Sequence, residues 1–140
     1  MLGRALLTFD SLGLLFGAAI ADMNHTHQRN PRWPPHANLP SSPYRFHNAQ
    51  TIGLSIVLGL ATLYLTWRPL LLGPSPATDR FSLRLAAFTG SAYWLTGLTA
   101  IYFPEADGLD PEFGGPGFPQ RPLFLGFMIA GLAGSYLELR

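Results

Sequence analysis

Four apolar runs divide the chain: Leu2 to Ala21, Ala49 to Trp67, Leu85 to Phe103 and Leu123 to Leu139. Each holds 17 to 20 residues, so as helices they reach roughly 25–30 Å, the hydrocarbon thickness of a thin, endoplasmic-reticulum-type bilayer. The second and third runs contain no charged residue, and the fourth carries only Glu138. A helix of a soluble bundle needs a polar face, and these offer little beyond Ser and Thr. The pattern predicts an all-α membrane protein: a four-transmembrane-helix bundle with short loops, forming a single membrane domain over residues 1–140. Composition agrees, with 48% hydrophobic and 12% charged residues, about half the usual charged share.

The first run admits a second reading. Met1 to Arg4 resembles the charged start of a signal peptide, and Ala19-Ile20-Ala21 resembles its cleavage site. Asp10 interrupts the apolar core that such a peptide needs, and Gly13, Gly17 and Ala21 form a small-residue ridge suited to permanent helix packing. A retained helix is expected.

Charge and cysteine usage exclude several classes. All nine basic residues are Arg, and eight acids nearly balance them, so there is no basic field for nucleic acid. Cys is absent, which removes disulfides, thiolate catalysis and Cys-ligated metals. No cofactor is expected.

The ends of the runs carry interface signals. Trp67, Tyr93, Trp94, Tyr102 and Tyr136 lie near the expected boundaries, where amphipathic rings favour the headgroup region. Arg68-Pro69 is expected to stop the second span and Phe103-Pro104 the third, while Gly126, Ala130 and Gly134 predict a contact face on the fourth. Four spans put both termini and the segment 68–84 on one side. That side holds Arg4, Arg68, Arg80, Arg84 and Arg140 against four Arg opposite, which favours termini in the cytosol. An endoplasmic-reticulum or other endomembrane location is expected.

The chemistry is concentrated in the loop 22–48, which contains all four His of the chain, a Trp flanked by Pro31, Pro34 and Pro35, and several Asn and Arg. Three readings fit the His residues. His25 and His27 are two apart and share a face of an extended segment, as metal ligands do, but no compact ligand motif completes a set. His27, His36 and His47 are candidate catalytic acid–base groups, with Asp22 or Glu105 to orient one of them. The third reading is structural: imidazole, amide and guanidinium groups satisfy the loop backbone or meet lipid headgroups. Asn24, Asn30, Arg32, Trp33 and Asn48 are candidate ligand-binding residues. The second long loop, 104–121, carries Glu105, Asp107, Asp110 and Glu112 and then Gly114-Gly115-Pro116-Gly117. It lies on the same expected side, and its acids are within reach of the first loop.

Asp10 is a further candidate ligand-binding residue. A carboxyl group within a span is costly unless it is paired or faces the bundle interior. The neutral partners offered by sequence are Ser11, Ser55, Thr62, Thr89, Ser91 and Thr96. Alternatively the span begins later and Asp10 lies near the surface.

Asp22, Asn24, Thr26 and His27, then Asn30-Pro31-Arg32-Trp33-Pro34-Pro35-His36-Ala37, then Arg45-Phe46-His47-Asn48 resemble a pattern found in small fungal multi-pass membrane proteins of unassigned function. That resemblance implies a membrane location and no particular reaction. The chain departs from it at Met23, where Trp is expected, and over 38–44, a Pro- and Ser-rich segment that interrupts the pattern.

The reading taken from sequence is a membrane-embedded protein that binds a hydrophobic small molecule, sterol- or terpenoid-like, under the His-rich loop. Its competitors are an isomerase or cyclase using His with Asp or Glu, and a structural or assembly subunit. The expected partners are the lipid bilayer, that small molecule and other membrane proteins.

Overall fold

The computed structural model describes residues 1–23, 43–104, 106–109, 114 and 116–140, with only the backbone of 43–45. The described residues contain four helices and no strand. They are α1 (Leu2–Asp22), α2 (Pro43–Leu72), α3 (Pro76–Ala100) and α4 (Arg121–Leu139).

Contacts between distant residues fix an antiparallel arrangement. Trp67 of α2 meets Thr8 of α1, while Asn48 at the other end of α2 meets Asp22. Arg68 of α2 pairs with Asp79 of α3, and Thr62 with Thr89. Ser135 of α4 bonds to Leu83 of α3, and Glu138 reaches back to Arg4 of α1. Each helix therefore lies against its sequence neighbour, α4 closes the ring against α1, and α1 touches α3 across the diagonal.

Several boundaries differ from the sequence expectation. Helix α2 begins at Pro43, so residues 43–48, expected in the first loop, are its first turns. Helix α2 continues through Pro69 to Leu72. Proline costs a helix its bond to residue i−4, but here only one further turn follows before Gly73 turns the chain at φ +85°. Helix α3 begins at Pro76, a first-turn position where the missing N–H is harmless, and ends at Ala100, before Phe103-Pro104. Residues 76–84, expected in a loop, are its first turns.

The interior mixes polar and apolar residues, and many large apolar side chains are exposed. Buried polar residues are Asp10, Ser11, Ser55, Thr62, Thr66, Ser82, Ser91 and Ser135; the buried apolar ones are Leu7, Leu14, Ala18, Leu83, Ala86, Trp94 and Ala130. Phe9, Phe16 and Ile20 of α1, Val57 and Leu60 of α2, Phe88 of α3 and Ile129 of α4 point outward. Water would drive the opposite sorting; apolar chains outside and small or hydroxyl-bearing residues between helices is how helices associate in lipid.

Hydroxyls connect the helices. Ser55 Oγ donates to the Leu14 carbonyl, Ser135 Oγ to the Leu83 carbonyl at 2.9 Å, and the Thr62 and Thr89 hydroxyls lie 2.8 Å apart. Small residues bring backbones together: a Cβ on Gly134 would lie 2.6 Å from the Gly3 carbonyl oxygen, and one on Gly59 3.0 Å from that of Ser11. The close face of α4 is Ala130, Gly131, Gly134 and Ser135. Gly126, expected on that face, has open space where a Cβ would stand.

Three helices, α1, α2 and α4, are long and apolar enough to cross a membrane.

Candidate functional site

Helices α1 and α3 end, and α2 and α4 begin, at one end of the bundle. Residues 23 and 43, which flank 24–42, lie there. Asp22 closes α1, and its carbonyl accepts a hydrogen bond from Asn48 Nδ2 at 3.2 Å. That bond satisfies one of the carbonyls that a helix C-terminus leaves open. Asn48 Oδ1 is buried and has no partner among the described residues. His47 is exposed on the first turns of α2, with its ring edge-on to Phe46 at 5.7 Å, and its carbonyl accepts from Thr51 Oγ1. Asp22, His47 and Asn48 thus share one end of the bundle. His27, His36, Asn24, Asn30, Arg32, Trp33 and Glu105 lie outside the described residues. Among the described residues no group of three His, Asp or Glu could hold a metal.

The second loop folds onto this end. Gly117 N–H donates to Asp107 Oδ1 at 2.8 Å, and Gly108 N–H donates to the Gly117 carbonyl at 3.0 Å. Gln120 Nε2 donates to the Gly108 carbonyl at 2.6 Å. The loop is closed on itself just ahead of α4, which presses Phe118 against Phe124 with ring centres 5.8 Å apart.

Between this loop and the ends of α2 and α3 is an open cleft of about 360 Å³. Its walls are Tyr93, Phe118 and Phe124, its floor is Gly97 and Ala100, and Thr51, Thr96 and Gln120 supply polar edges. Gly97 lets the Phe124 ring approach α3 closely, since a Cβ there would stand 2.5 Å from that ring. Sequence reasoning missed this cleft. Phe118 and Phe124 carried no motif, and Tyr93 had been assigned to the membrane interface.

An aromatic column runs from the cleft past the buried Trp94 to Phe9 on the outer face of α1. Trp94 lies 5.4 Å from Phe124 and stacks on Phe127 at 4.8 Å, and Phe127 stacks on Phe9 at 4.9 Å. Trp94 is 1% exposed, so it is a core residue and not the interface ring expected from its position. Its indole N–H donates to Asp10 Oδ1 at 2.7 Å. Asp10 is 0% exposed, so its carboxyl group faces the bundle interior. Its partner is Trp94 rather than one of the six hydroxyl residues that sequence offered. Asp10 Oδ2 is buried without a partner among the described residues and fills the space where Gly90 and Gly131 lack a Cβ. Asp10 does not line the cleft; it connects to it through Trp94 and Phe124.

No curated protein and no solved structure matches the chain. The model of a family of unknown function, DUF6640, matches residues 8–140. The match begins within α1 and takes in Asp10, the loop 22–48, the cleft and all of α4, so the chain belongs to the DUF6640 family.

Proposed function

We propose that this protein spans a membrane four times and holds a rigid apolar small molecule, sterol- or terpenoid-like, in the cleft at the end of the bundle where Asp22 and His47 lie. The span assigned to α3 is supported by where its polar residues point. Ser82, Ser91 and Trp94 face the interior, whereas Phe81, Phe88 and Leu95 are exposed. Its lower mean hydropathy comes from that buried face together with Arg80 and Arg84, exposed in its first turns, and Thr96 and Thr99, exposed near its end; between Arg84 and Thr96 its exposed residues are Phe88 and Leu95.

The observation that carries the ligand is the cleft itself. At about 360 Å³ it lies within the range of small-molecule sites, which run from roughly 300 to 1,000 Å³ and combine apolar walls with a few polar groups. Three aromatic rings give flat surfaces for a fused-ring skeleton. Thr51, Thr96 and Tyr93 line it; the two Thr hydroxyls donate to the His47 and Tyr93 carbonyls and keep lone pairs that suit a single hydroxyl donor on that skeleton.

A photoreactive sterol, incorporated into membranes holding the full chain, tests the proposal. Saturable labelling is expected within 93–100 and 118–124, and the Ala100→Trp variant, whose indole fills the cleft, is expected to abolish it. Labelling spread over the lipid-facing residues and unchanged in Ala100→Trp would refute ligand binding.

A further inference from the structure

We propose that the outer face of α3 binds one anionic phospholipid, with its phosphate on Arg80 and Arg84 and an acyl chain along Phe88 and Leu95. The site is separate from the cleft and rests on the reading that α3 spans the membrane.

Charge accounting at the end of the bundle that holds the termini leads to it. The arginines there are Arg4, Arg68, Arg80, Arg84 and Arg140, and the acids are Asp79 and Glu138. Both acids are engaged. Asp79 Oδ1 meets Arg68 at 3.4 Å, and Oδ2 accepts from the Ser75 N–H at 2.9 Å. Glu138 Oε2 lies 3.4 Å from Arg4 Nε, and Oε1 accepts from the Arg4 N–H and from the Met1 amino group. Arg140 folds over the Tyr136 ring, 4.3 Å from its centre. Arg80 and Arg84 remain exposed, with no ion pair or hydrogen bond among the described residues.

Helix geometry turns these two into a site. Residues four apart stand side by side, so Arg80 and Arg84 present two guanidinium groups one turn apart, a spacing over which both can donate to one phosphate. Phe88 continues the same row a turn further on, and it and Leu95 are exposed at 69% and 52%. From Arg84 to Leu95 the helix rises roughly 16 Å, about half the thickness of the hydrocarbon region and hence the depth of one leaflet. The row runs from cationic to apolar over the length of one lipid. Anionic headgroups are attracted to basic residues at a span end, by about fivefold in affinity for each Arg.

The test begins with insertion of the full chain into phosphatidylcholine vesicles, read by flotation. A fluorescent phosphatidylserine is then titrated against the full chain in neutral-detergent micelles, with the matching phosphatidylcholine as comparison. Tighter binding of the serine lipid is expected, weakened about fivefold by Arg80→Gln or Arg84→Gln and about thirtyfold by both, with Arg140→Gln unchanged. Equal binding of the two lipids by the unaltered chain overturns the site without any variant, as does a double variant that binds like wild type. Displacement of the lipid by millimolar inorganic phosphate would show a site for phosphate alone and overturn the acyl-chain half. A chain that inserts but shows no lipid preference refutes this site only; one that enters no vesicle refutes the four-span reading and this site with it.

Discussion

The Trp94 indole N–H donates to Asp10 Oδ1 at 2.7 Å, joining α3 to α1 across the diagonal of the bundle between residues 84 positions apart. Both groups are buried, so neither has water as an alternative. Removing one partner leaves the other unsatisfied, at a cost of about 1–3 kcal/mol. Asp10→Ala and Trp94→Phe are each expected to lower stability by that amount in thermal unfolding in detergent. The double variant should lose less than the sum, because the second change removes a group already without its partner. Asp10→Asn keeps a carbonyl oxygen for the indole and is expected to lose less than Asp10→Ala. Strict additivity of the two single changes would show that the bond contributes nothing.

Gly90 and Gly131 bracket the same carboxyl group. A Cβ on Gly131 would lie 2.6 Å from Asp10 Oδ2, and one on Gly90 would overlap that oxygen more severely. Overpacking of this kind costs about 1–3 kcal/mol. Gly131→Ala is therefore expected to destabilise the wild type and to be tolerated once Asp10 has been shortened to Ala. The measurement is the midpoint shift of Gly131→Ala in the two backgrounds. An equal shift in both would mean that the glycine serves α1–α4 backbone contact and not the carboxyl group.

Much of this arrangement follows from sequence, and the remainder fails for identifiable reasons. The four apolar runs locate the four helices, because length and the absence of charge are local properties. The starts of α2 and α3 differ from expectation because polar segments such as 43–48 and 76–84 extend a helix beyond its apolar stretch, and the end of α2 because one more turn follows Pro69. Asp10 could be read as an interior residue from its cost in lipid, but its partner could not. Trp94 carries the ordinary signature of an interface ring, and only the diagonal crossing of α1 and α3 makes it a core donor. Of the expected contact row Gly126, Ala130 and Gly134, the last two are on the close face and Gly126 is not, because rows of i+4 residues drift around a helix. Gly131, off that row, is the residue that meets Asp10. The cleft combines α2, α3, the second loop and α4, so no single stretch of sequence carries it. Of the residues expected to form a site in the loop 22–48, Asp22, His47 and Asn48 are brought to one end of the bundle, next to that cleft.

Asn48 links the two helices that border the His-bearing loop. Its Nδ2 donates to the Asp22 carbonyl, one of the acceptors that the end of α1 cannot satisfy within the helix. Asn48→Ala should cost about 1 kcal/mol. Asn48→Asp should cost more, since an oxygen would then face the carbonyl. Thermal unfolding of both variants in detergent provides the comparison. An Asn48→Asp protein as stable as wild type would show that the donor is not needed.

Topology gives the most direct check on the four-span reading. The chain has no Cys, so single cysteines can be introduced without background. In the antiparallel bundle, position 74 in the turn between α2 and α3 lies at the same end as position 140. Position 107 in the loop before α4 lies at the opposite end, as the Asp107 contact with Gly117 ties it to the cleft. Four spans therefore predict that Pro74→Cys and Arg140→Cys react with a membrane-impermeant maleimide from one side of sealed vesicles, and Asp107→Cys only from the other. The side carrying 74 and 140 should be cytosolic, because Arg4, Arg68, Arg80, Arg84 and Arg140 are all at that end and arginines near span ends are retained there. Labelling of positions 74 and 107 from the same side would mean that α3 does not cross. Its exposed face of Phe81, Phe88 and Leu95 would then need a cover other than lipid.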